Sequence, residues 1–187
     1  PLTGPETHSL RRIARRTWGF FEQFVTEVDN FLPPDNFQEI PVPAVAHRTS
    51  PTNIGLYLLS TVAARDMGWI SEADTLRRLE QTLERMGRMP RFRGHFYNWY
   101  DTTDLRVLDP AYVSSVDSGN LAGHLICVAR ACRDWAQSPP DDAARCEGLA
   151  DTAAVARAAW DGAALPCPAL IALQAALETR NETRLLT

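Results

Sequence analysis

The sequence contains no apolar run of about 18 residues, the length that a helix needs to cross a bilayer. It also has no excess of positive charge, because 19 Lys and Arg face 23 Asp and Glu, for a formal net charge of −4. This balance gives no electrostatic reason to expect nucleic acid or an anionic membrane as a partner. With 45% hydrophobic and 22% charged residues, the 187-residue chain is typical of one globular domain with a sizeable core.

The cysteines lack the spacing of metal-binding or redox motifs, since no C-x-x-C pair occurs. They are Cys127, Cys132, Cys146 and Cys167. We interpret them as structural thiols of a reducing compartment, and we predict neither a metal site nor a cofactor. The chain begins at Pro1 without a charged and then apolar leader. A signal peptide is therefore not visible, and the start on Pro predicts a fragment of a longer protein.

Three predicted helices are apolar on one face only: the first over about 9–29, the third over about 72–88 and the fifth over about 142–160. The third begins with a capping-box pattern at Ser71 and Asp74. The apolar face predicted for the first helix is Leu10, Ile13, Thr17, Phe21, Phe24 and Val28. Its arginines, which we interpret as a solvated face rather than a phosphate site, are Arg11, Arg12, Arg15 and Arg16.

Three other segments are apolar on nearly every side, a pattern that marks a helix buried all round. They are predicted over about 52–67, 119–136 and 169–178. Ser50 and Pro51 suit the start of the second helix, and Asp117 or Ser118 is the predicted N-cap of the fourth. Residues 179–187 are polar and are predicted to be a frayed tail.

One-sided and fully apolar helices alternate along the chain, which predicts two layers of an all-α fold, a partial (α/α)6 toroid. Two long loops, 31–53 and 92–124, each lead from an outer to an inner helix, so both should lie on one rim. Six helices make about half of a twelve-helix ring, and an open half-ring would expose apolar inner faces. We therefore expect an incomplete N-terminal part of such a domain.

The two loops concentrate aromatic, carboxylate and amide side chains. Sugar sites need aromatic faces and planar polar groups, and glycoside chemistry uses two carboxyl groups roughly 5–9.5 Å apart. The candidates for substrate binding are Asp35, Asn36, Glu39, His47, Arg48, Asn53, Tyr97, Trp99, Tyr100, Asp101, Asp117 and Asn120. Asp101, Asp117 and Glu39 are the candidates for proton transfer, and no catalytic residue is assigned among them.

Structural alternatives stand beside these roles in the second loop. The loop has room for a hairpin that pairs 96–100 with 105–108. Asp101 then fits a turn equally well, and Asp117 fits an N-cap that accepts from the Asn120 amide. Trp99 and Tyr100 are core aromatics as readily as sugar-stacking rings.

The first loop leaves similar alternatives open. Asp35 and Asn36 follow a Pro pair and are compatible with an Asx turn. Arg48 can brace a carboxylate through a bidentate bond or contact a ligand directly. Glu39 has no evident capping role, which favours a place in a cleft.

The segments TWGFFEQFVTEVDNFLPPDNFQEIPVPAVAHRTSPTNIGLYLLSTVAARDMGWI and RFRGHFYNWYDTTDLRVLDPAYVSSVDSGNLAGHLI resemble cyclic β-1,2-glucan synthases. The part resembled is the glycoamylase-like region of these large bacterial inner-membrane proteins. The resemblance covers about 13–135 well and is weak from about 138 onward.

This resemblance implies an (α/α)6 toroid that cuts and rejoins a growing β-1,2-glucan by transglycosylation. It implies a location on the cytoplasmic side of the inner membrane, with this segment itself soluble. The glutamates expected to carry the chemistry would lie further along, in the other half of the ring. The implied partners are a β-1,2-glucan chain, the remaining half of the toroid and neighbouring domains, so the fragment alone would be inactive. A different reading is a non-catalytic helical interaction module built on the same scaffold.

Overall fold

The computed structural model describes residues 2–138, 141–160, 167–169, 171–173 and 175–177. Its helices are α1 (Gly4–Phe24), α2 (Pro51–Asp66), α3 (Glu72–Arg88), α4 (Ser115–Trp135) and α5 (Asp142–Trp160). Its two-residue strands are β1 (Phe37–Gln38), β2 (Ala44–Val45), β3 (Arg48–Thr49), β4 (Arg91–Phe92), β5 (His95–Phe96) and β6 (Tyr100–Asp101). The all-α fold class is therefore confirmed, and α5 has the predicted bounds.

The chain forms two compact units. The first contains the described residues of 1–18, 64–70 and 140–187, and the second contains those of 19–63 and 71–139. A hydrophobic core in the second unit is formed by Leu32, Ile54, Leu58, Leu79, Met86, Met89, Tyr100, Leu121 and Val128. Both long loops belong to this second unit, so it holds the candidate site.

Helix α2 begins where its capping residues predict. The Ser50 hydroxyl accepts a hydrogen bond from the Asn53 amide at 3.2 Å, and Pro51 occupies the first helical position. Ile54 and Tyr57 are buried, but Leu56 is 48% exposed, so the prediction that α2 is buried all round was wrong. Gly68, with φ of +76°, lies just beyond the helix in the left-handed conformation that glycine adopts without strain.

Helix α3 has the predicted bounds and the predicted cap, because the Ser71 hydroxyl accepts from the Asp74 amide at 3.1 Å. The apolar face predicted from the sequence of α3, formed by Leu76, Leu79, Leu83 and Met86, is buried only at Leu79 and Met86. Leu83 is 42% exposed, whereas Thr82 is fully buried with its hydroxyl donating to the Phe31 carbonyl at 2.9 Å. A threonine whose hydroxyl is satisfied can replace a leucine on a buried face.

Helix α1 is shifted from its predicted range of 9–29 and ends at Phe24. The chain reverses at Asn30 and Phe31, which both have positive φ. The predicted apolar face was right for Phe21 and Phe24, which pack against Tyr57 and Phe37. It was wrong for Ile13 and Val28, which are 61% and 70% exposed, whereas Trp18 is 2% exposed. Trp18 falls on a different side of the helix from Ile13, and Val28 lies beyond the end of the helix.

The prediction that all four arginines of α1 are solvated was wrong for two of them. Arg11 donates through Nε to the buried Asp151 at 3.0 Å and through Nη2 to the Met67 carbonyl at 3.2 Å. Arg15 donates to the Thr152 hydroxyl at 3.0 Å. These arginines therefore hold α1 and α5 together within the first unit.

Helix α4 starts earlier than predicted, at Ser115, and its N-cap is Ser114 rather than Asp117 or Ser118. Asp117 occupies the first turn instead, and its amide donates to the Ser114 hydroxyl at 3.1 Å. The expectation that α4 is buried on nearly every side was also wrong for this chain. Val116 is 69% and Ile126 71% exposed.

The sixth predicted helix is partly described. Residues 168, 169, 171–173 and 175–177 are helical. Ile171 is 61% exposed, so this segment is not buried all round. Residue 178 and the predicted tail at 179–187 lie outside the described residues. All four cysteines are free thiols.

The hairpin predicted between 96–100 and 105–108 forms only in part. Phe96 pairs with Arg91 in the β4–β5 hairpin instead. Further along, Leu108 donates to the Trp99 carbonyl at 3.0 Å, and Tyr100 forms a bridge with Val107. The predicted strand is thus divided between two partners, because the chain bends between Phe96 and Tyr100.

Candidate carbohydrate site

Strands β3 and β6 join the two long loops. Arg48 pairs with Asp101 and Thr49 with Tyr100 in an antiparallel register. The Thr102 amide extends the pairing by donating to the His47 carbonyl at 3.1 Å. The loops therefore lie side by side, as the prediction of a shared rim requires.

Asp35 is the centre of the first polar cluster. Arg48 donates to its Oδ2 from Nε at 3.1 Å and from Nη2 at 2.9 Å. Asn53, in the first turn of α2, donates to Oδ1 at 3.2 Å, and the neighbouring Asn36 donates to Oδ2 at 3.1 Å. Of the two roles open to Arg48, the structure shows the bracing of a carboxylate. The Arg48 guanidinium also lies 5.0 Å from the centre of the Trp99 ring, within cation–π range.

Asp117 is the centre of a second cluster, between the first turns of α2 and α4. Ser114 donates to its Oδ2 at 2.6 Å, and Asn120 donates to the Thr52 hydroxyl at 3.1 Å. Burial raises the pKa of Asp117, but hydrogen bonds from Ser114 and Thr52 outweigh burial and leave the pKa below its ordinary value. Asp117 is therefore a carboxylate at neutral pH.

Asn98 links the second cluster to the aromatic ring of the first. The amide orientation that satisfies every neighbour has Nδ2 donating to Asp117 Oδ2 at 2.9 Å. Its Oδ1 then accepts from Trp99 Nε1 and from the Tyr112 hydroxyl, both at 2.8 Å. Asn98 is 6% exposed, so this bond fixes the Trp99 ring between Arg48 and the Asp117 cluster.

Asp101 adopts the turn role that the sequence left open. Its Oδ1 accepts from the Thr103 amide at 2.9 Å and from the Thr103 hydroxyl at 2.6 Å, and Oδ2 accepts from Arg106 at 3.0 Å. The Thr103 hydroxyl bond is the main cause that lowers the pKa of Asp101, with Arg106 adding to it. Both carboxylate oxygens are occupied by the turn itself.

Tyr100 and Glu39 are separated from the two clusters. Tyr100 is fully buried, and its hydroxyl donates to the Pro90 carbonyl and accepts from the Tyr97 amide, both at 2.7 Å. Tyr100 therefore offers no ring face to a ligand and holds the loop instead. Tyr97 is half-buried against Phe92 and Tyr100. Glu39 is exposed after β1, and no contact joins it to either cluster in the described part of the chain.

Asp29 and Asn30 form a clasp that sequence reasoning missed. Asp29 is 5% exposed, accepts from the Thr102 hydroxyl and lies 2.7 Å from Nδ1 of the predicted site residue His47. Asn30 donates to the carbonyls of Thr102 and Thr103, both at 2.8 Å. The sequence feature that could have indicated this clasp is the polar pair itself, which stands directly before the Phe-Leu-Pro-Pro segment at the start of the first long loop.

The described residues offer neither a metal-binding cluster nor a membrane-spanning helix. No group of three or more His, Cys, Asp or Glu among them is placed to hold a metal ion. No helix in the described ranges combines the length and the hydropathy that a membrane span requires.

The fold is that of a glucoamylase-like (α/α)6 toroid, of which this chain forms part. A protein from Bacteroides fragilis NCTC 9343, described as a putative glucoamylase, matches with a TM-score of 0.54 and 20% identity. The match covers 67% of this chain and 30% of that one. A protein of the same description from Bacteroides caccae ATCC 43185 matches with a TM-score of 0.45 and 16% identity, over 90% of this chain and 34% of that one.

The chain belongs to the family described as protein of unknown function (DUF3131), whose model matches residues 12–126. It is also 57% identical over 151 residues to the cyclic β-(1,2)-glucan synthase NdvB of Rhizobium meliloti (strain 1021). That match covers 80% of this chain and 5% of the relative, so the chain spans a small part of the relative's length. The expected resemblance to cyclic β-1,2-glucan synthases is confirmed.

Proposed function

We propose that this chain supplies one wall of a cleft that holds a β-1,2-glucan chain, within a larger membrane-associated cyclic β-1,2-glucan synthase. One observation carries the proposal. The Asp35 and Asp117 clusters converge on Trp99 at the first turns of α2 and α4. A scaffold of packed helices has no need of such a set, whereas a sugar site needs an aromatic ring among planar polar groups.

In this proposal Trp99 stacks against the C–H face of a glucose unit. Arg48 and Asn53 already fix the Asp35 carboxylate, and Asn120 is bonded to the Thr52 hydroxyl, so these polar groups are preorganised before sugar enters. Asp117 remains ionised and accepts hydrogen bonds from sugar hydroxyls. The similarity to a cyclic β-(1,2)-glucan synthase supports β-1,2-glucan as the substrate class.

The lowered pKa of Asp117 limits the chemistry we assign to it. A carboxylate that is ionised at neutral pH can accept a proton or stabilise positive charge, but it cannot serve as the general acid. Glycoside cleavage also needs a second carboxyl group across the scissile bond. We therefore propose that transglycosylation, with cyclisation of the glucan, requires carboxyl groups from elsewhere in the longer protein.

Thermal melting with and without linear β-1,2-gluco-oligosaccharides tests the proposal, with a β-1,3 series as the control. A ligand that binds only the folded state at a hundredfold excess over Kd stabilises it by about 2.7 kcal/mol. For a chain of this size, that is a rise in Tm of roughly 5–10 °C. A rise with the β-1,2 series alone is expected, and equal behaviour of the two series would contradict the substrate class.

Two matched variants locate the binding. Trp99→Ala removes the proposed stacking ring, so the Tm rise should be lost while a cooperative melt remains. Phe92→Ala removes an aromatic side chain that is 51% exposed in β4 and belongs to neither polar cluster. It should leave the Tm rise unchanged. Loss of the rise in both variants would point to a general effect on folding rather than to a sugar contact at Trp99.

A second candidate function is a helical interaction module. The observation that favours it is the exposure of Val116 and Ile126 on α4, which are 69% and 71% accessible. We propose the remaining half of the toroid, in the same longer protein, as the partner of this face. Adding that segment in trans should raise the Tm of the chain and should fail to do so for Ile126→Glu.

A further inference from the structure

His124 is a polar residue on α4 that neither cluster includes. It follows Asp117 and Asn120 at positions that share one face of the helix, because the spacings are three and four residues. This column faces the first two turns of α2. Asn120 contacts Thr52, and His124 contacts Gly55, which lies one turn further along α2.

The contact between His124 and Gly55 is unusually close. A Cβ placed on Gly55 would lie 2.2 Å from Nδ1 of His124, so the imidazole would have to shift to make room for it. The ring therefore packs directly on the backbone of α2. With the imidazole in this position, only the hydrogen atom of a glycine fits at position 55.

This contact determines the tautomer of His124. Nδ1 is buried without a hydrogen-bond partner, and a Gly55 Cα hydrogen points at it along the direction that a Cβ would take. An N–H at Nδ1 would collide with that C–H group and would be a buried donor without an acceptor. A lone pair accommodates the C–H group as a weak contact. In the neutral imidazole, the proton therefore lies on Nε2.

No described residue accepts a hydrogen bond from the Nε2–H group. His124 is only partly buried, and Nε2 makes no hydrogen bond to another residue that the structure describes. The donor therefore remains accessible in the same column as Asn120 and Asp117. It is oriented without the aid of a side-chain partner, because packing against Gly55 fixes the ring.

We propose that His124 is a further sugar-binding residue, whose Nε2–H donates to a hydroxyl oxygen of a glucose unit one turn deeper along α4 than Asn120. This inference rests on the proposed function and extends the proposed sugar contacts from the rim by one turn along α4. An N–H donor suits a glucose hydroxyl, because the hydroxyl oxygen offers lone pairs that can accept from it. Apolar packing alone would explain the contact with Gly55 but not a histidine in that place.

Variants at this position separate sugar binding from packing. His124→Leu fills the space without a donor, and His124→Gln places an amide N–H near the position of Nε2. With the 187-residue chain and a linear β-1,2-gluco-oligosaccharide in a titration calorimeter, we expect at least a fivefold loss of affinity for His124→Leu. His124→Gln should stay within about twofold of the unaltered chain. His124→Ala replaces His124→Leu in the comparison if the leucine variant does not melt cooperatively.

The outcomes distinguish this inference from the proposed function. If the unaltered chain binds the oligosaccharide and His124→Leu binds it equally well, His124 is a packing residue and the inference is wrong. If the unaltered chain does not bind, the proposed function fails and the inference fails with it. The ¹⁵N chemical shifts of the His124 imidazole give a readout that needs no ligand. They should show the Nε2–H tautomer, and a proton on Nδ1 would overturn the argument.

Discussion

Nδ1 of His47 lies 2.7 Å from Oδ1 of Asp29, although eighteen residues separate them in the sequence. Asp29 lies two residues before the first long loop begins, and His47 directly precedes β3. The same carboxylate accepts from the Thr102 hydroxyl in the second loop. One buried carboxylate thus connects three stretches of chain next to the β3–β6 pair.

Asp29→Ala should therefore destabilise the second unit. It leaves the Thr102 hydroxyl buried without its acceptor, and such a loss costs about 1–3 kcal/mol. Urea unfolding followed by circular dichroism would measure the change in free energy. Glu80→Ala, which truncates an exposed carboxylate on α3, is the control and should change stability by less than about 0.5 kcal/mol. Equal stability of the two variants would show that the clasp contributes nothing.

Gly55→Ala should lower the stability of the chain, although replacing a glycine by alanine usually stabilises a helix. In a helix interior, replacing glycine by alanine stabilises by about 0.5–1 kcal/mol, but here the methyl group meets His124. Such overpacking costs about 1–3 kcal/mol. Gly123→Ala on α4 is the matched control, because no atom lies within 4 Å of its new methyl group.

The two substitutions should thus move the free energy of unfolding in opposite directions. The double variant Gly55→Ala with His124→Ala should recover most of the loss, since it removes the colliding ring. A Gly55→Ala variant as stable as the unaltered chain would mean that His124 can leave its position without cost.

Stability should fall on acidification because of Asp117. Its folded-state pKa is lowered, so the group contributes stability above the unfolded-state pKa of about 3.9. That contribution is lost as the pH falls below about 4 and through the lowered folded-state pKa. Asp117→Asn should flatten this part of the profile of unfolding free energy against pH, measured between pH 2 and 7. An unchanged slope would assign the acid sensitivity to other carboxylates, of which Asp101 is one.

Asp151 should matter more to the first unit than the neighbouring Glu147. Both carboxylates pair with Arg11, but Asp151 is 4% exposed and also accepts from Trp69 Nε1 at 2.9 Å. Asp151→Ala leaves two donors without an acceptor and should cost about 3 kcal/mol. Glu147→Ala removes a carboxylate whose side chain is 62% exposed and should cost less than about 1 kcal/mol. The comparison is made by thermal and urea unfolding, and similar losses would contradict the role of burial.

Local chemistry explains which predictions were confirmed. Ser50 with Pro51 and Ser71 with Asp74 fix the starts of α2 and α3 through hydrogen bonds that span only three residues. Both partners of such a cap lie within a short stretch of sequence, so the sequence alone is enough to predict it. At the start of α4, Ser114 stands near two other good caps, Asp117 and Ser118, and the choice among them depends on the loop that arrives there.

Contacts between distant residues explain the rest of the site. The sequence marked Arg48, Trp99 and Asp117 as candidates, but it could not show that Asn98 joins the ring to the carboxylate. Nor could it show that Tyr100 points into the core and Asp101 into its own turn. A side chain on a short irregular strand can face either side, and only the packing around it decides which.

The sequence by itself determined the helical class, the bounds of α3 and α5, and the two loops that carry the candidate site. These features follow from apolar periodicity, caps and prolines, which act over a few residues. The tertiary structure alone decided the buried face of α1, the pairing of β3 with β6, the clasp of Asp29 and the contact of His124 with Gly55. Each of these depends on which distant surfaces meet, because burial and hydrogen bonding are satisfied between segments rather than within them.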